Sequence, residues 1–426
     1  MHVAIIGNGI TGISAAIRLR KRRPGWDITV ISGESEYHFS RPALMYIFMG
    51  HLRFEDTLPF DKKFFKHQRI DLMQAWVTKI DTENKMLVFD GQTQPLGYDK
   101  LLIATGSEPN KFGWPGQDLR GVQSLYSLQD LDLLYRNVRG AQHAVVVGGG
   151  LIGIEFAEML HARDIGVTFL VRETAFWNVI IPDEEACMIN RIIEEEGLGL
   201  VLETELDHIV DGGDGRVSAV RTNSGETIAC QVVGLTTGVH PNTHLAKTSG
   251  VPTGRGILVD RSLRTSIDDV YAAGDCAEMV TGEERNLIQQ VWYTGRGQGL
   301  AVADAMAGDE VRYDPGIWFN SAKFLDLEYQ VYGTVPRTGA APPGHTSLFW
   351  MHPDGRHSLR IVHNNGTVVG FNLFGIRYRH EVCERWIREK RSVDYVLAHL
   401  AEANFDPEFY GRYEVEITAA MKRQVA

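Results

Sequence analysis

Only four cysteines occur among the 426 residues, and they stand far apart, at Cys187, Cys230, Cys276 and Cys383. No C-x-x-C or C-x-x-x-x-C pair exists, which excludes a local redox-active dithiol and any cysteine-built metal knuckle. A long-range disulfide is disfavoured in a reducing compartment, so most of these thiols are expected to be small core residues. No uncharged apolar run approaches the length of a bilayer span, and no membrane contact is expected. An apolar strand starts by residue 3 and leaves no room for a leader, so the expected compartment is the cytoplasm. Positive charge is in deficit as well. Against 54 Asp and Glu stand 43 Lys and Arg, a net charge of −11, which argues against nucleic acid as the main partner. The fifteen histidines form no H-E-x-x-H or comparable close pair, so no metal is expected. A G-x-S-x-G nucleophile elbow is also missing.

What remains is a chain with 44% apolar and 23% charged residues, the composition of a soluble globular protein with two or three domains. Its most informative feature is a duplication. Gly7-Asn8-Gly9-Ile10-Thr11-Gly12 follows the apolar run Val3-Ala4-Ile5-Ile6, and Gly148-Gly149-Gly150-Leu151-Ile152-Gly153 follows Val145-Val146-Val147. Each Gly-rich turn ends a buried strand and opens a helix, an arrangement that offers backbone N–H groups and a helix dipole to a pyrophosphate. The first continues through a helix-compatible stretch and a Pro24-Gly25 break into the strand Asp27–Ile31, with Glu34 placed as a ribose acceptor. In the second, the strand Val167–Val171 ends in Arg172 and Glu173. Arg172 suits the 2′-phosphate of NADPH and Glu173 an NADH ribose. Two sites imply two dinucleotides, and the economical pair is a flavin with a nicotinamide.

The strand Leu101–Ala104, ending in Thr105-Gly106, and the strand Val270–Ala273, ending in Gly274-Asp275, bracket the second Gly-rich unit, whose end is marked by Thr237-Gly238. This order resembles the FAD and NAD(P)H-dependent pyridine nucleotide-disulfide oxidoreductase superfamily over roughly residues 1–310. The resemblance implies an α/β fold of two Rossmann-like, three-layer dinucleotide-binding domains, one inserted in the other, plus a C-terminal α+β domain. Residues 1–115 with 250–315 are expected to bind FAD, 116–249 to bind NADPH or NADH, and 316–426 to form the last domain. Carried over by motif, Gly7, Gly9, Gly12, Glu34, Arg41, Pro42, Val77, Ala104, Thr105, Gly106 and Asp275 are the expected FAD contacts. Gly148, Gly150, Gly153, Arg172 and Gly238 are those of the nicotinamide dinucleotide.

Ser40-Arg41-Pro42-Ala43-Leu44 resembles the R-P-x-L segment of the ferredoxin, putidaredoxin and rubredoxin reductase branch. Disulfide reductases carry cysteine in this region, and this chain has none. A lysine that usually follows R-P-x-L near flavin N5 is replaced by Met45-Tyr46, while its glutamate partner is retained as Glu155. Glu155 and Tyr46 are therefore the catalytic candidates. Asn320-Ser321 stands where relatives have a Trp-Ser pair covering the flavin, and Asn365-Gly366 reads as a hairpin turn. A helix is expected from about Glu381 to Glu402, and no motif is legible after Asp406. Trp292 and Tyr293 read as core or as flavin-packing aromatics. The expected activity is hydride transfer from NAD(P)H to FAD and onward electron transfer to an external acceptor such as ferredoxin or rubredoxin. The alternatives are an NAD(P)H oxidase, a quinone or small-molecule reductase, or a redox-dependent interaction protein of the apoptosis-inducing-factor kind. A small acidic electron carrier and a homodimer are the expected protein partners. Basic clusters at Arg18–Arg23, Lys62–Arg69 and Arg385–Arg391 read as solvated faces.

Overall fold

A computed structural model describes every residue except Gln92, Glu283, Glu284, Arg285, Pro407 and Ala426. Two compact units divide the chain: Met1–Asn110, Ser124–Arg136 and Gly238–Pro315 in the first, and Lys111–Gln123, Asn137–Thr237 and Gly316–Ala426 in the second.

The first unit is built on a parallel sheet of the strands Val270–Ala272, Lys100–Ile103, His2–Ile6, Asp27–Ser32 and Asp71–Gln74, in that order. His2–Ile6 lies in the middle, and Val3, Ala4 and Ile5 are fully buried. A strand covered on both faces needs an unbroken apolar run, which is why it does not alternate. The chain leaves this strand to one side for Asp27–Ser32 and reaches Lys100–Ile103 on the other. A crevice at the strand ends is the place where such sheets bind ligands. Against the first fingerprint helix, Ile10–Arg22, packs the helix Trp292–Met306. Their approach is close because Gly299 has no Cβ, which would lie 2.4 Å from the Thr11 carbonyl oxygen.

The second unit repeats the plan. Its parallel sheet runs Gly199–Val201, Gly166–Leu170, His143–Val147, Val232–Leu235 and Val122–Gln123. Its C-terminal part is a five-stranded antiparallel sheet, Phe319–Phe324, Leu327–Gly333, Thr367–Phe374, Ser358–Asn364 and His345–Met351. Asn365 (φ 48°) and Gly366 (φ 83°) make the expected left-handed hairpin turn. The single helix expected over 381–402 is broken into His380–Arg388 and Val393–His399, where Lys390 adopts φ 53° and Ser392 caps the second helix. The stretch after Asp406 is not featureless. It forms the helix Glu414–Val425, anchored by the fully buried Ile417 and Met421 one turn apart.

The basic clusters are largely solvated, as expected, with one buried exception in the first. Arg20 is buried and donates to the carbonyls of Gln68, Pro24 and Trp26. Arg18 pairs with Asp304, and Arg22 with Asp304 and Asp309. At the C-terminal end, Arg385, Arg388 and Arg391 pair with Glu402, Glu384 and Glu389. Lys62, Lys63 and Lys66 are all exposed, and none makes an ion pair with the described residues.

A buried ion pair joins the two parts of the second unit. Arg360, on the strand Ser358–Asn364, donates twice to the fully buried Glu185 at 2.8 Å, once to Glu184 at 2.9 Å and once to Ser347 at 2.8 Å. Glu185 lies on the helix Asp183–Glu195 and also accepts from Asn372 at 3.2 Å. Removing one partner of such a pair leaves a dry, uncompensated charge. Arg360→Met should therefore cost about 3–5 kcal/mol of stability, read as a lower urea midpoint. The double variant with Glu185→Gln should recover most of it, and an Arg360→Met protein as stable as its parent would remove the brace.

Candidate dinucleotide sites

In the first fingerprint the three glycines do different jobs. A Cβ on Gly7, which has φ 110°, would lie 2.1 Å from the Ala104 carbonyl oxygen, and one on Gly12 would lie 2.0 Å from that of Gly7. These positions let strand, turn and helix touch backbone to backbone. A Cβ on Gly9 would meet nothing within 4 Å. The helix beyond it has no side-chain cap, so its first N–H groups face open space where an anion fits. Asn8 braces the turn by donating to the Ser35 carbonyl, and its own carbonyl accepts from His38 Nδ1 at 2.8 Å. Burial holds His38 below its ordinary pKa, so this buried ring is neutral and serves as a hydrogen-bonding brace.

The second fingerprint has the same division of labour. Gly148, at φ 123°, and Gly153 would carry a Cβ 2.7 Å and 2.9 Å from the carbonyl oxygens of Thr236 and Gly148, while Gly150 again meets nothing within 4 Å. The helix Leu151–His161 also lacks a side-chain cap. Both turns present an open cradle at an uncapped helix N-terminus, and both fit a pyrophosphate.

Around the first cradle the expected residues converge. Glu34 takes a two-pronged contact from Arg41, at 2.9 and 2.6 Å, and the Leu128 N–H at 3.0 Å. Arg41 stacks on the Tyr126 ring at 4.6 Å and also donates to the Tyr126 carbonyl. With three bonds accepted, the carboxylate keeps one lone-pair direction for a ribose hydroxyl. Pro42 follows Arg41 in a short, exposed 3-10 turn. Trp76, 58% exposed, lies on Gly33, where a Cβ would come within 2.1 Å of the indole; Val77 follows it. On the other side of the central strand, Ala104 supplies the carbonyl that Gly7 abuts. Thr105 donates to the Asn242 carbonyl at 2.7 Å, and Gly106 turns the chain at φ 72°. Asp275 accepts from Ser107 Oγ at 3.0 Å, which itself accepts from Gln290 at 2.7 Å. Burial raises the Asp275 carboxyl, against the lowering effects of Ser107 and Arg41. Ser107, Tyr126, His38, Trp76 and Gln290 carry no motif in the sequence.

Other candidates lie as follows. Gly238, expected at the nicotinamide site, belongs to the first unit, where its carbonyl accepts from the Asn110 N–H at 3.0 Å. Arg172 is spent partly on its neighbour, with Nε 2.6 Å from Glu173, and its side chain is 70% exposed. Tyr46 sits on the short helix Leu44–Phe48, its ring stacked on His51. Glu155 sits on the second fingerprint helix, with no hydrogen bond or ion pair to the described residues. Burial, and then the charge of Glu158, push its carboxyl up to about 7. Trp292 and Tyr293 are not core residues, being 43% and 41% exposed in an edge-to-face pair. Asn320 and Ser321 lie on the edge strand Phe319–Phe324. All four cysteines are free; Cys230, Cys276 and Cys383 are buried, and Cys187 is exposed rather than in the core. Burial lifts the Cys276 thiol above its ordinary value, so it is no ready nucleophile. Among the described residues no helix is long and apolar enough to cross a membrane.

Comparison with known proteins agrees with this geometry. The nitrite reductase [NAD(P)H] of Bacillus subtilis is 31% identical over 280 residues, 65% of this chain and only 34% of the enzyme, so the chain spans about a third of that relative's length. A rubredoxin-NAD(+) reductase of Acinetobacter baylyi is 27% identical over 391 residues, covering 88% of this chain and 94% of the relative. The solved structure of an NAD-dependent persulfide reductase from A. fulgidus superimposes with a TM-score of 0.86 at 26% identity, over 100% of this chain and 83% of that one. A family model described as pyridine nucleotide-disulphide oxidoreductase matches residues 1–299, and the chain belongs to that family.

Proposed function

We propose that this protein is an FAD-dependent NAD(P)H oxidoreductase that passes electrons to an external carrier without a cysteine relay. The observation that carries it is the pair of open glycine cradles at uncapped helix N-termini, in a chain with no paired thiols. Once bound, FAD would supply the hydride-accepting and electron-releasing chemistry. The protein's part is to hold and tune. Gly7, Gly9 and Gly12 seat the FAD pyrophosphate, and Glu34, held by Arg41, takes a ribose hydroxyl. Val77, Pro42, Ala104, Thr105, Gly106 and Asp275 complete the FAD surface. Gly148, Gly150 and Gly153 seat the pyrophosphate of NADPH or NADH, with Arg172 for a 2′-phosphate and Gly238 as a further candidate contact. The domain division 1–115 with 250–315, 116–249 and 316–426 follows these ligands.

Gly9 separates binding from folding. Its backbone is extended, with φ −65°, and a Cβ there meets no protein atom. Gly9→Ala should keep the unfolding midpoint of its parent yet weaken FAD binding by about tenfold or more, measured by flavin fluorescence titration. Unaltered FAD affinity would move the cofactor elsewhere. Gly150→Ala is the matching variant for the nicotinamide dinucleotide and should leave the protein yellow.

Glu155 holds a proton near neutral pH, so it is the residue to orient the nicotinamide or balance charge during reduction, with Tyr46 as a second candidate. Glu155→Gln should slow flavin bleaching by NAD(P)H in stopped flow and flatten its pH dependence around pH 7; an unchanged rate and profile would end that role. Stability is linked to the same proton. The folded carboxyl titrates at about 7 and an unfolded one at 4.5. The group therefore costs nothing below pH 4.5, and its cost grows as pH rises, to at most roughly 3 kcal/mol above pH 7. The variant should gain stability over its parent across that window, in denaturation series from pH 4 to 8.

For the acceptor we propose a small acidic electron carrier, ferredoxin or rubredoxin in kind, at a basic surface containing Lys62, Lys63 and Lys66. Unpaired cations steer an acidic partner at low salt. Changing all three to Glu should raise the KM for such a carrier several-fold at low ionic strength and leave ferricyanide turnover unchanged. Equal loss with both acceptors would place the defect at the flavin, and turnover with dioxygen alone would favour an oxidase. A compartment in the cytoplasm and a homodimer belong to the same reading.

A further inference from the structure

The hairpin between the strands His345–Met351 and Ser358–Asn364 gathers a set of donors that the reductase reading does not use. Its turn is His352-Pro353-Asp354-Gly355-Arg356-His357. The His352 N–H reaches the His357 carbonyl at 2.8 Å, and the Gly355 N–H reaches the His352 carbonyl at 2.9 Å. Proline at the second position and a left-handed glycine, φ 65°, at the fourth suit this tight turn. The turn folds ligand-type residues at i, i+2 and i+5 onto one point. His352 Nδ1 lies 2.9 Å and His357 Nδ1 2.8 Å from the same oxygen, Oδ2 of Asp354, and the three donor atoms all fall within 4.8 Å of one another.

Electron-rich atoms this close need positive charge between them, supplied either by ring protons or by one cation. A tetrahedral ion with bonds of about 2.0–2.1 Å separates its ligands by about 3.3 Å, so an opening of a few tenths of an ångström at each imidazole admits it. The frame is already held. Arg191 donates to the Gly355 carbonyl, and Arg356 is neutralised by Glu195 at 2.9 Å. The second carboxylate oxygen of Asp354 accepts the Arg356 N–H at 2.8 Å, an outer contact that fixes the direction of the first. Tyr413 lies against both imidazoles, at 5.3 and 4.9 Å, and Trp350 against His352 at 6.0 Å. Side-chain exposures of 29%, 38% and 26% for His352, Asp354 and His357 leave a path for an ion from solvent.

We propose that His352, Asp354 and His357 form a binding site for one divalent transition-metal ion of borderline softness, of which Zn2+ is the type, with water in the remaining position. Two imidazoles and a carboxylate suit Zn2+ better than Mg2+ or Ca2+, which prefer oxygen. The ion cross-braces the hairpin and takes no part in the electron path.

The test uses tag-free, FAD-loaded protein stripped with a chelator and titrated with Zn2+ by calorimetry. One ion per chain should bind, and Zn2+ should raise the thermal midpoint. His352→Ala should lose at least tenfold in affinity. His357→Asn keeps an N–H donor within reach of Asp354, so it should fold like its parent and still lose binding. The Co2+ form should show a ligand-field absorption band that both variants lack. The proposal is overturned if the parent binds no Zn2+ at about 100 µM. It is equally overturned if both variants bind as tightly as the parent, or if His357→Asn loses stability without losing the ion.

Discussion

The constraint on which the molecule depends is a backbone contact that tolerates no side chain. Gly7 sits on the Ala104 carbonyl and Gly12 on that of Gly7, while Gly148 sits on Thr236 and Gly153 on Gly148. Each contact pulls a helix N-terminus down onto the end of a parallel strand. The geometry then dictates where negative charge is welcome, because uncapped N–H groups and the helix dipole point into the same space. Gly9 and Gly150 are glycines for another reason. A Cβ on either would meet none of the described residues within 4 Å, so its lack matters to what approaches from outside.

Much of this was legible because it is local. A buried parallel strand must be an apolar run, a turn of this kind must be glycine, and Asn-Gly between alternating strands must be a hairpin. The element order then made the nesting readable. What escaped depends on partners far away in sequence. Arg20 looks like one more charge in a basic run, and only the carbonyls of Gln68 and Trp26 make it a buried brace. Glu185 and Arg360 are 175 positions apart and each reads as a surface residue alone. The last helix escaped because only Ile417 and Met421 anchor it, with Ala420 beside them, too small a stripe to stand out among its charges. For Trp292 and Tyr293 the core reading fails in the other direction, since an aromatic pair at the head of a helix reads as core and is here exposed.

The candidate site divides along the same line. Its glycines and acids were found by spacing, whereas Tyr126, Ser107 and Gln290 were not. They serve by bonding to motif residues rather than by belonging to a motif. Tyr126 illustrates the difference. Its phenol oxygen accepts the Ser107 N–H at 3.0 Å, its carbonyl and ring both engage Arg41, and Arg41 in turn holds Glu34. A residue after Gln123, distant in sequence from the first fingerprint, thus sets the direction of the acid beside it.

Three acids near the cradles are handled in three ways, and the differences bear on their tasks. Glu34 is matched by a guanidinium fork, which spends its charge and leaves it as a fixed acceptor suited to a hydroxyl. Asp275 is raised by burial but held by the Ser107 hydroxyl, so it keeps a defined direction. Glu155 has burial and a like charge and no described hydrogen-bond donor, and its proton affinity rises to about 7. A carboxyl left in that condition is a poor anchor, because nothing fixes its orientation, and it weakens the fold once ionised. Burial with a like charge nearby and no donor among the described residues makes Glu155 a proton-carrying group that switches within the physiological range.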